Sequence, residues 1–279
     1  MAAEESPAPL GILAGGGELP FLLVQASRAS GREPFVIAFN GFTEQRVVAG
    51  TRHAWVDLAK VGQTMRHLHE AGCRAVVFAG GMRRPSLSSL IPDLRGAAVL
   101  AKIARAGGDD AVLRVLVAEM EAEGFRVVGA DDILGDLIAG AGPMGAHAPA
   151  PDVWSDIRRG AAVVRALGAV DVGQAAVVQQ GIVLGVEAAE GTDALLARCG
   201  ALRREGRGGV LVKLKKPGQE RRTDLPMIGA VTVINAAAAG LVGVAVEAGE
   251  ALVMGRAQVA AEADARGLFV YGLTAAELA

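Results

Sequence analysis

Cysteine is almost absent: Cys73 and Cys199 are the only two in 279 residues. They lie far apart without CxxC spacing, which excludes a disulfide framework or a cysteine zinc site and suits a reducing compartment. No HExxH helix, GxSxG nucleophile elbow or GxxxxGK[ST] phosphate loop occurs. The four histidines, His53, His67, His69 and His147, add no metal-binding pattern, and His67 and His69 are spaced wrongly for one helix face. An excess of positive charge is also missing. The net charge of −2 argues against a nucleic-acid binder held by a broad basic field. No run is apolar enough to read as a membrane span. The greasiest stretch, 230–249, is interrupted by Thr232, Asn235 and three glycines, and reads as a buried helix passing into a buried strand. The opening MAAEESPAPL carries acids where a signal peptide needs a basic region, so a soluble cytoplasmic protein is expected.

What is present is a folded, apolar chain: 52% hydrophobic and 21% charged, with length for two modest domains. Short apolar runs at 9–14, 34–40, 74–80 and 125–130 alternate with helical patterns. That alternation predicts an α/β domain with a mainly parallel, Rossmann-like sheet over residues 1–141. GPMGAHAPAPD, residues 142–152, has three prolines and two glycines without apolar periodicity and reads as a linker. From 153 to 279 the pattern restarts with a helix at WSDIRRGAAVVRALG. Strands follow at 181–187, 209–214, 241–247 and 268–273, so a second α/β domain is expected.

Several stretches carry candidate chemistry. Gly15, Gly16 and Gly17 fall where the first strand should turn into a helix that has Pro20 in its first turn. Backbone amides there can approach a phosphate, although a plain tight turn explains the glycines equally well. GGGELP is not GxGxxG, and the second strand ends in Asn40 where a dinucleotide site would place an acid, so a nucleoside diphosphate suits the loop better than NAD. FAGGMRRPSLSSL puts Arg83 and Ser86 at the carboxyl edge of another strand, where Arg suits phosphate and Ser86 could instead cap a helix. Asp109 and Asp110 open a helix after two glycines and fit either capping or a magnesium ion.

In the second half, Glu187 ends an apolar strand, where an acid is costly without a role, and Thr192 and Asp193 open the next helix. Glu247 repeats the strand-terminal glutamate. KLKKPGQERRTDLPMIGA gathers Lys213, Lys215, Lys216, Arg221 and Arg222 around Asp224. Lysines on an edge strand commonly only guard the edge. Asp224, amid cations and beside an apolar helix, is better read as a metal ligand or a group that orients water, with the cations neutralising phosphate.

Taken in order, GILAGGGELP, GGMRRPSLSSLIPD, GGDDAVL, QQGIVLGVEAAEGTDALL, KLKKPGQERRTDLPMIG and GLVGVAVEAGEALV with GLFVYG resemble the LpxI-type UDP-2,3-diacylglucosamine pyrophosphatases of lipid A biosynthesis. The match runs from about residue 9 to 275, with Thr223 standing where an aromatic is expected before the acid. The resemblance implies Mg²⁺-dependent hydrolysis of UDP-2,3-diacylglucosamine to UMP and 2,3-diacylglucosamine 1-phosphate (lipid X). It also implies an N-terminal UDP-binding domain, a C-terminal acyl-sugar-binding and catalytic domain, a homodimer, and peripheral contact with the cytoplasmic face of the inner membrane. On this reading Asp224 is central, Glu187 and Asp193 assist, Lys213 and Arg222 stabilise phosphate oxygens, and Thr192 donates to one of them. Gly15, Gly16, Gly17, Arg83 and Ser86 contact the nucleotide. Asp224 and Glu187, with Asp109 and Asp110, are the expected metal ligands. The competing readings are a noncatalytic UDP-sugar-binding module and a dinucleotide-binding oxidoreductase.

Overall fold

Runs of β-branched residues between helical segments should bury strands on both faces, and the first sheet does so. A computed structural model describes residues 7–82, 90–105 and 108–278, with the side chain of Asp109 outside the description. The chain divides into two units, Met1–Gly135 with Glu220–Thr223, and Asp136–Gln219 with Asp224–Ala279.

The first unit runs β1 (Leu10–Ala14), α1 (Leu19–Ala29), β2 (Pro34–Phe39), α2 (Gln45–Val48), β3 (Arg52–Val56), α3 (Val61–Glu70), β4 (Ala75–Ala79), α4 (Leu94–Ile103), α5 (Gly108–Ala122) and β5 (Arg126–Val128). Its five strands lie in the order β3-β2-β1-β4-β5 and every pairing is parallel. β1, β2 and β4 are buried throughout. Leu13, Ile37, Val76 and Phe78 share a core with Met65 and Leu68 of α3 and Val117 and Met120 of α5. The order reverses between β1 and β4, the place where open α/β sheets bind ligands.

The second unit contains β6 (Gly142–Pro143), α6 (Trp154–Ala169), β7 (Ala175–Gln179), β8 (Ile182–Val186), α7 (Gly191–Ala201), β9 (Val210–Lys213), β10 (Met227–Gly229), α8 (Ala230–Ala238), β11 (Gly243–Glu247), β12 (Leu252–Met254), α9 (Arg256–Ala265) and β13 (Phe269–Leu273). A six-stranded mixed sheet has the order β6-β13-β11-β9-β7-β8, and β10 pairs with β12 in a short parallel ribbon. Alternate residues of β9 and β11 face opposite cores, as a period of two requires. Leu211, Val244 and Val246 pack with Leu195, Val233 and Val259 of α7, α8 and α9, while Val210, Val212 and Ala245 pack with Ile157, Ala161 and Val164 of α6.

The sheet is therefore covered on both faces. Two α/β units are what the alternating pattern implies, with the second sheet mixed because β7 runs antiparallel to β8 and β9. Residues 142–152 supply β6, which pairs with β13, and lead into a single-turn helix at Pro151–Val153. Among the described residues no helix is long and apolar enough to cross a membrane. The stretch 230–249 forms α8 and β11.

A fully buried carboxylate organises one end of this unit. Gln180 and Gly181 both take positive φ in the two-residue turn between β7 and β8, the geometry that matches strand twist. Their amides donate to Asp156 Oδ2 at 2.9 Å and Oδ1 at 2.6 Å, and Arg207 Nη2 pairs with the same carboxylate at 2.7 Å.

Candidate functional site

In the first unit, β1 and β4 both end in glycines at the carboxyl edge, beside the switch in strand order. The two loops are joined by backbone hydrogen bonds. Gly15 N donates to Ala79 O at 2.7 Å, Gly16 N to Gly81 O at 2.9 Å, and Gly81 N back to Gly16 O at 3.1 Å. Side chains are excluded: a Cβ on Gly15 would lie 2.8 Å from the carbonyl oxygens of Gly80 and Gly81, and one on Gly80 would run into Gly16 O. Gly80 also requires its left-handed φ of 86°. With the Gly15 and Gly16 amides committed, an anion at this loop would meet Gly17 and the start of α1, where the first helical amides point outward. The space around Gly17 is open, and the Glu18 side chain makes no capping hydrogen bond. Beside them at the same edge, Asn40 Nδ2 donates to Asp57 Oδ1 at 2.7 Å. The acid absent after β2 is present after β3. Arg83 and Ser86 lie outside the described residues.

The acids and arginines expected to act on phosphate or metal are here closely partnered. Asp110 accepts from Glu220 N at 2.8 Å and pairs with Arg114 at 2.7 Å. Arg222 bonds both carboxylate oxygens of Glu220 at 2.9 Å and Glu121 at 2.5 Å. Its hydrogen bonds to the carboxylates of Glu220 first, then Glu121, hold the guanidinium protonated even more firmly than usual. Arg221 pairs with Asp131 at 2.9 Å.

The second unit brings most of the other residues together. Parallel β9 and β11 deliver Lys213 and Glu247 to one edge of the sheet, and the antiparallel β7–β8 hairpin returns Glu187 to that same edge. Lys213 is buried, and its Nζ donates to Thr192 Oγ1 at 2.7 Å; Thr192 in turn donates to Glu187 Oε1 at 2.5 Å. Glu187 Oε2 accepts from Gln174 N at 3.2 Å. Burial pushes the Lys213 ammonium below the ordinary lysine range, against the pull of Glu187, Asp224 and Asp193. All three carboxylates lie close enough to act on this one buried ammonium. Asp193 Oδ1 accepts from Asn235 Nδ2 at 2.9 Å, and Asp224 Oδ2 accepts from Gln219 Nε2 at 2.5 Å. The amides Gln174, Gln219 and Asn235 were not identified from sequence, where an uncharged side chain in a loop or on a short apolar helix carries no pattern.

Such a nest can place anionic oxygens of a substrate against Lys213 while carboxylates face a cation or a water; Thr192, expected to donate to phosphate, has its single hydroxyl hydrogen committed to Glu187. Among the described residues no three His, Cys, Asp or Glu side chains form a ready-made metal cage. Magnesium does not demand one, since it is commonly held by one or two carboxylates together with phosphate oxygens and waters. The carboxylates of Asp224 and Glu187 suit that mode.

Glu247 sits beside this nest, with its neighbour Val246 in register with Lys213. Burial, and then Glu250, raise its carboxyl above the ordinary glutamate range, with Lys215 and Arg165 opposing. Lys215 is itself paired with Glu250 at 2.5 Å. A carboxyl raised on folding binds more protons in the native state, so stability falls as pH climbs from the unfolded pKa through the folded one. Glu247→Gln should therefore melt higher than the parent at pH 7 and equal to it near pH 3.5, as measured by thermal unfolding at the two pH values. An advantage that persists undiminished at the lower pH would contradict the assignment.

The family model for the LpxI N-terminal domain matches residues 9–137, and that for the LpxI C-terminal domain matches residues 140–271. The chain is 43% identical over 274 residues to a protein of Caulobacter vibrioides named UDP-2,3-diacylglucosamine pyrophosphatase LpxI, an alignment that spans 95% of this chain and 97% of the relative.

Proposed function

The chain belongs to the LpxI family, and we propose that it hydrolyses the pyrophosphate of UDP-2,3-diacylglucosamine to UMP and 2,3-diacylglucosamine 1-phosphate, with Mg²⁺, in lipid A biosynthesis. The observation that carries this reading is the buried Lys213, hydrogen-bonded to Thr192, itself bonded to Glu187, with Asp193 and Asp224 close enough to act on its charge. A phosphoanhydride is hydrolysed mainly by positioning and charge neutralisation, and this arrangement supplies both.

Lys213 lies in a desolvated setting, where a fixed positive charge acts on developing phosphate charge far more strongly than in water. Thr192, which accepts from Lys213 and donates to Glu187, fixes the lysine's ammonium in place. Asp224 is the residue that accepts a proton from, or aligns, the attacking water. Its carboxylate and that of Glu187 would also hold Mg²⁺, which supplies Lewis acidity at a phosphoryl oxygen when bound. Asp193 adds negative charge on the same side. Asp110 and Arg222, with their partners on the first unit, hold that unit's own segments in place.

In this proposal the first unit receives the nucleotide at the β1/β4 crevice, through Gly17, Arg83 and Ser86, and the second receives the acyl sugar. A doubly acylated substrate favours work at a lipid surface, and the proposal includes peripheral contact with the cytoplasmic face of the inner membrane and a homodimer. The test is UMP release from UDP-2,3-diacylglucosamine with Mg²⁺, after chelation, and after Mg²⁺ is restored. Release should stop with the chelator and return with the metal. A folded protein that binds the UDP-sugar and releases no UMP would instead be a binding module.

A further inference from the structure

We propose that Gln219 is a positioning residue for the hydrolysis: it holds Oδ2 of Asp224 and thereby fixes the orientation of that carboxylate. The inference rests on the function proposed above, in which Asp224 serves the attack.

Gln219 is buried, at 6% exposure, in a loop that has no regular secondary structure to require a glutamine. Its two ends are used differently. Oε1 accepts from Lys216 N at 2.9 Å, and Nε2 donates to Asp224 Oδ2 at 2.5 Å and lies 3.4 Å from Gln174 Oε1. A backbone amide can only donate, so the bond from Lys216 settles which end of the side chain is oxygen. The NH₂ group must then face Asp224, and no flip of the amide preserves both contacts.

The same side chain links the two acids of the site. Gln174, which receives the second amide hydrogen, donates its own N–H to Glu187 Oε2 at 3.2 Å. Glu187 is tied through Thr192 to Lys213. A continuous hydrogen-bonded path therefore runs Asp224–Gln219–Gln174–Glu187–Thr192–Lys213. A carboxylate gripped on one oxygen by a neutral donor keeps its charge and loses its rotational freedom, which is what an in-line attack demands of the group that aligns the water.

The test compares Gln219→Glu and Gln219→Leu with the parent protein, reading UMP release from UDP-2,3-diacylglucosamine together with thermal unfolding. Glutamate keeps the shape and the acceptor toward Lys216 N but sets an oxygen against Asp224; leucine removes both bonds. If Gln219 positions Asp224, both variants lose kcat by roughly tenfold to a hundredfold. KM should change by less than about threefold, since the first-unit nucleotide contacts are untouched. If the side chain only fills space, Q219E keeps the parent kcat and Q219L alone falls, in step with its melting temperature. That result overturns the assignment. A parent protein that releases no UMP in the same assay overturns the functional reading, and this assignment with it, whereas an active parent with an equally active Q219E overturns the role of Gln219 alone.

Discussion

Asp224→Ala should abolish UMP release, by on the order of a thousandfold or more, while leaving the fold intact. The asymmetry has a physical origin. Asp224 is half-buried and follows β9 in a loop, so its removal empties little apolar volume from either core of the second unit. Its loss leaves Gln219 Nε2 with Gln174 as an acceptor at 3.4 Å. Chemically the loss is severe. The carboxylate would both face a cation and align the water, whereas Glu187, tied to Thr192 and Gln174, would keep only its part in holding the cation. Asp224→Asn should be nearly as inactive, since an amide neither takes a proton nor holds Mg²⁺ as a carboxylate does. The comparison is made at saturating substrate, with circular dichroism and thermal unfolding alongside. Activity within tenfold of the parent for a folded D224A protein would remove Asp224 from its central place.

The largest effect on stability belongs to a residue with no part in the chemistry. Asp156→Ala should destabilise the second unit by about 3–5 kcal/mol, because it strips the acceptor from two turn amides and the buried one of two carboxylate partners from Arg207 at once. Asp156 is 0% exposed, so water cannot easily replace what is lost. For a unit of this size the unfolding midpoint should fall by roughly 10 °C. Asp156→Asn, which retains one acceptor oxygen, should lie between the two. Arg207 keeps Asp152 at 2.9 Å, which limits the damage on its side. A midpoint within about 2 °C of the parent would show that the turn holds its shape without the carboxylate.

How far these features were legible differs by residue. PFVIAF and AVVFA announce buried parallel strands because every position is apolar. RHAWV does not, because β3 lies at the sheet edge and presents Arg52 and His53 to solvent. AAVVQ, which became β7, was missed for another reason. Its hairpin turns at Gln180–Gly181 instead of at an Asn-Gly or Asp-Gly pair, and the buried Asp156 that supports the turn is distant in sequence. In the site, strand-terminal acids were readable as anomalies, since Glu187 ends an apolar run, and the structure joins it to Thr192 and Lys213. Gln219 was visible only as a letter between cations. Arg222 stood next to Asp224 and invited a shared role, yet Glu220, two residues before it, takes up its guanidinium. The commitment of the Gly15 and Gly16 amides could not be read locally, because their acceptors lie some 65 residues away in the loop after β4.

That last arrangement bears on how the protein could be redesigned. The turns after β1 and β4 each fill the space that the other's side chains would need, so they form a single mutational unit although they are remote in the chain. Diversity introduced at Gly15 or Gly80 alone would select against folding before it could sample a new ligand. A library aimed at altered nucleotide preference gains more from Gly17, Glu18, Asn40 and Asp57, which border the same crevice, while the interlocked glycines remain as its fixed floor.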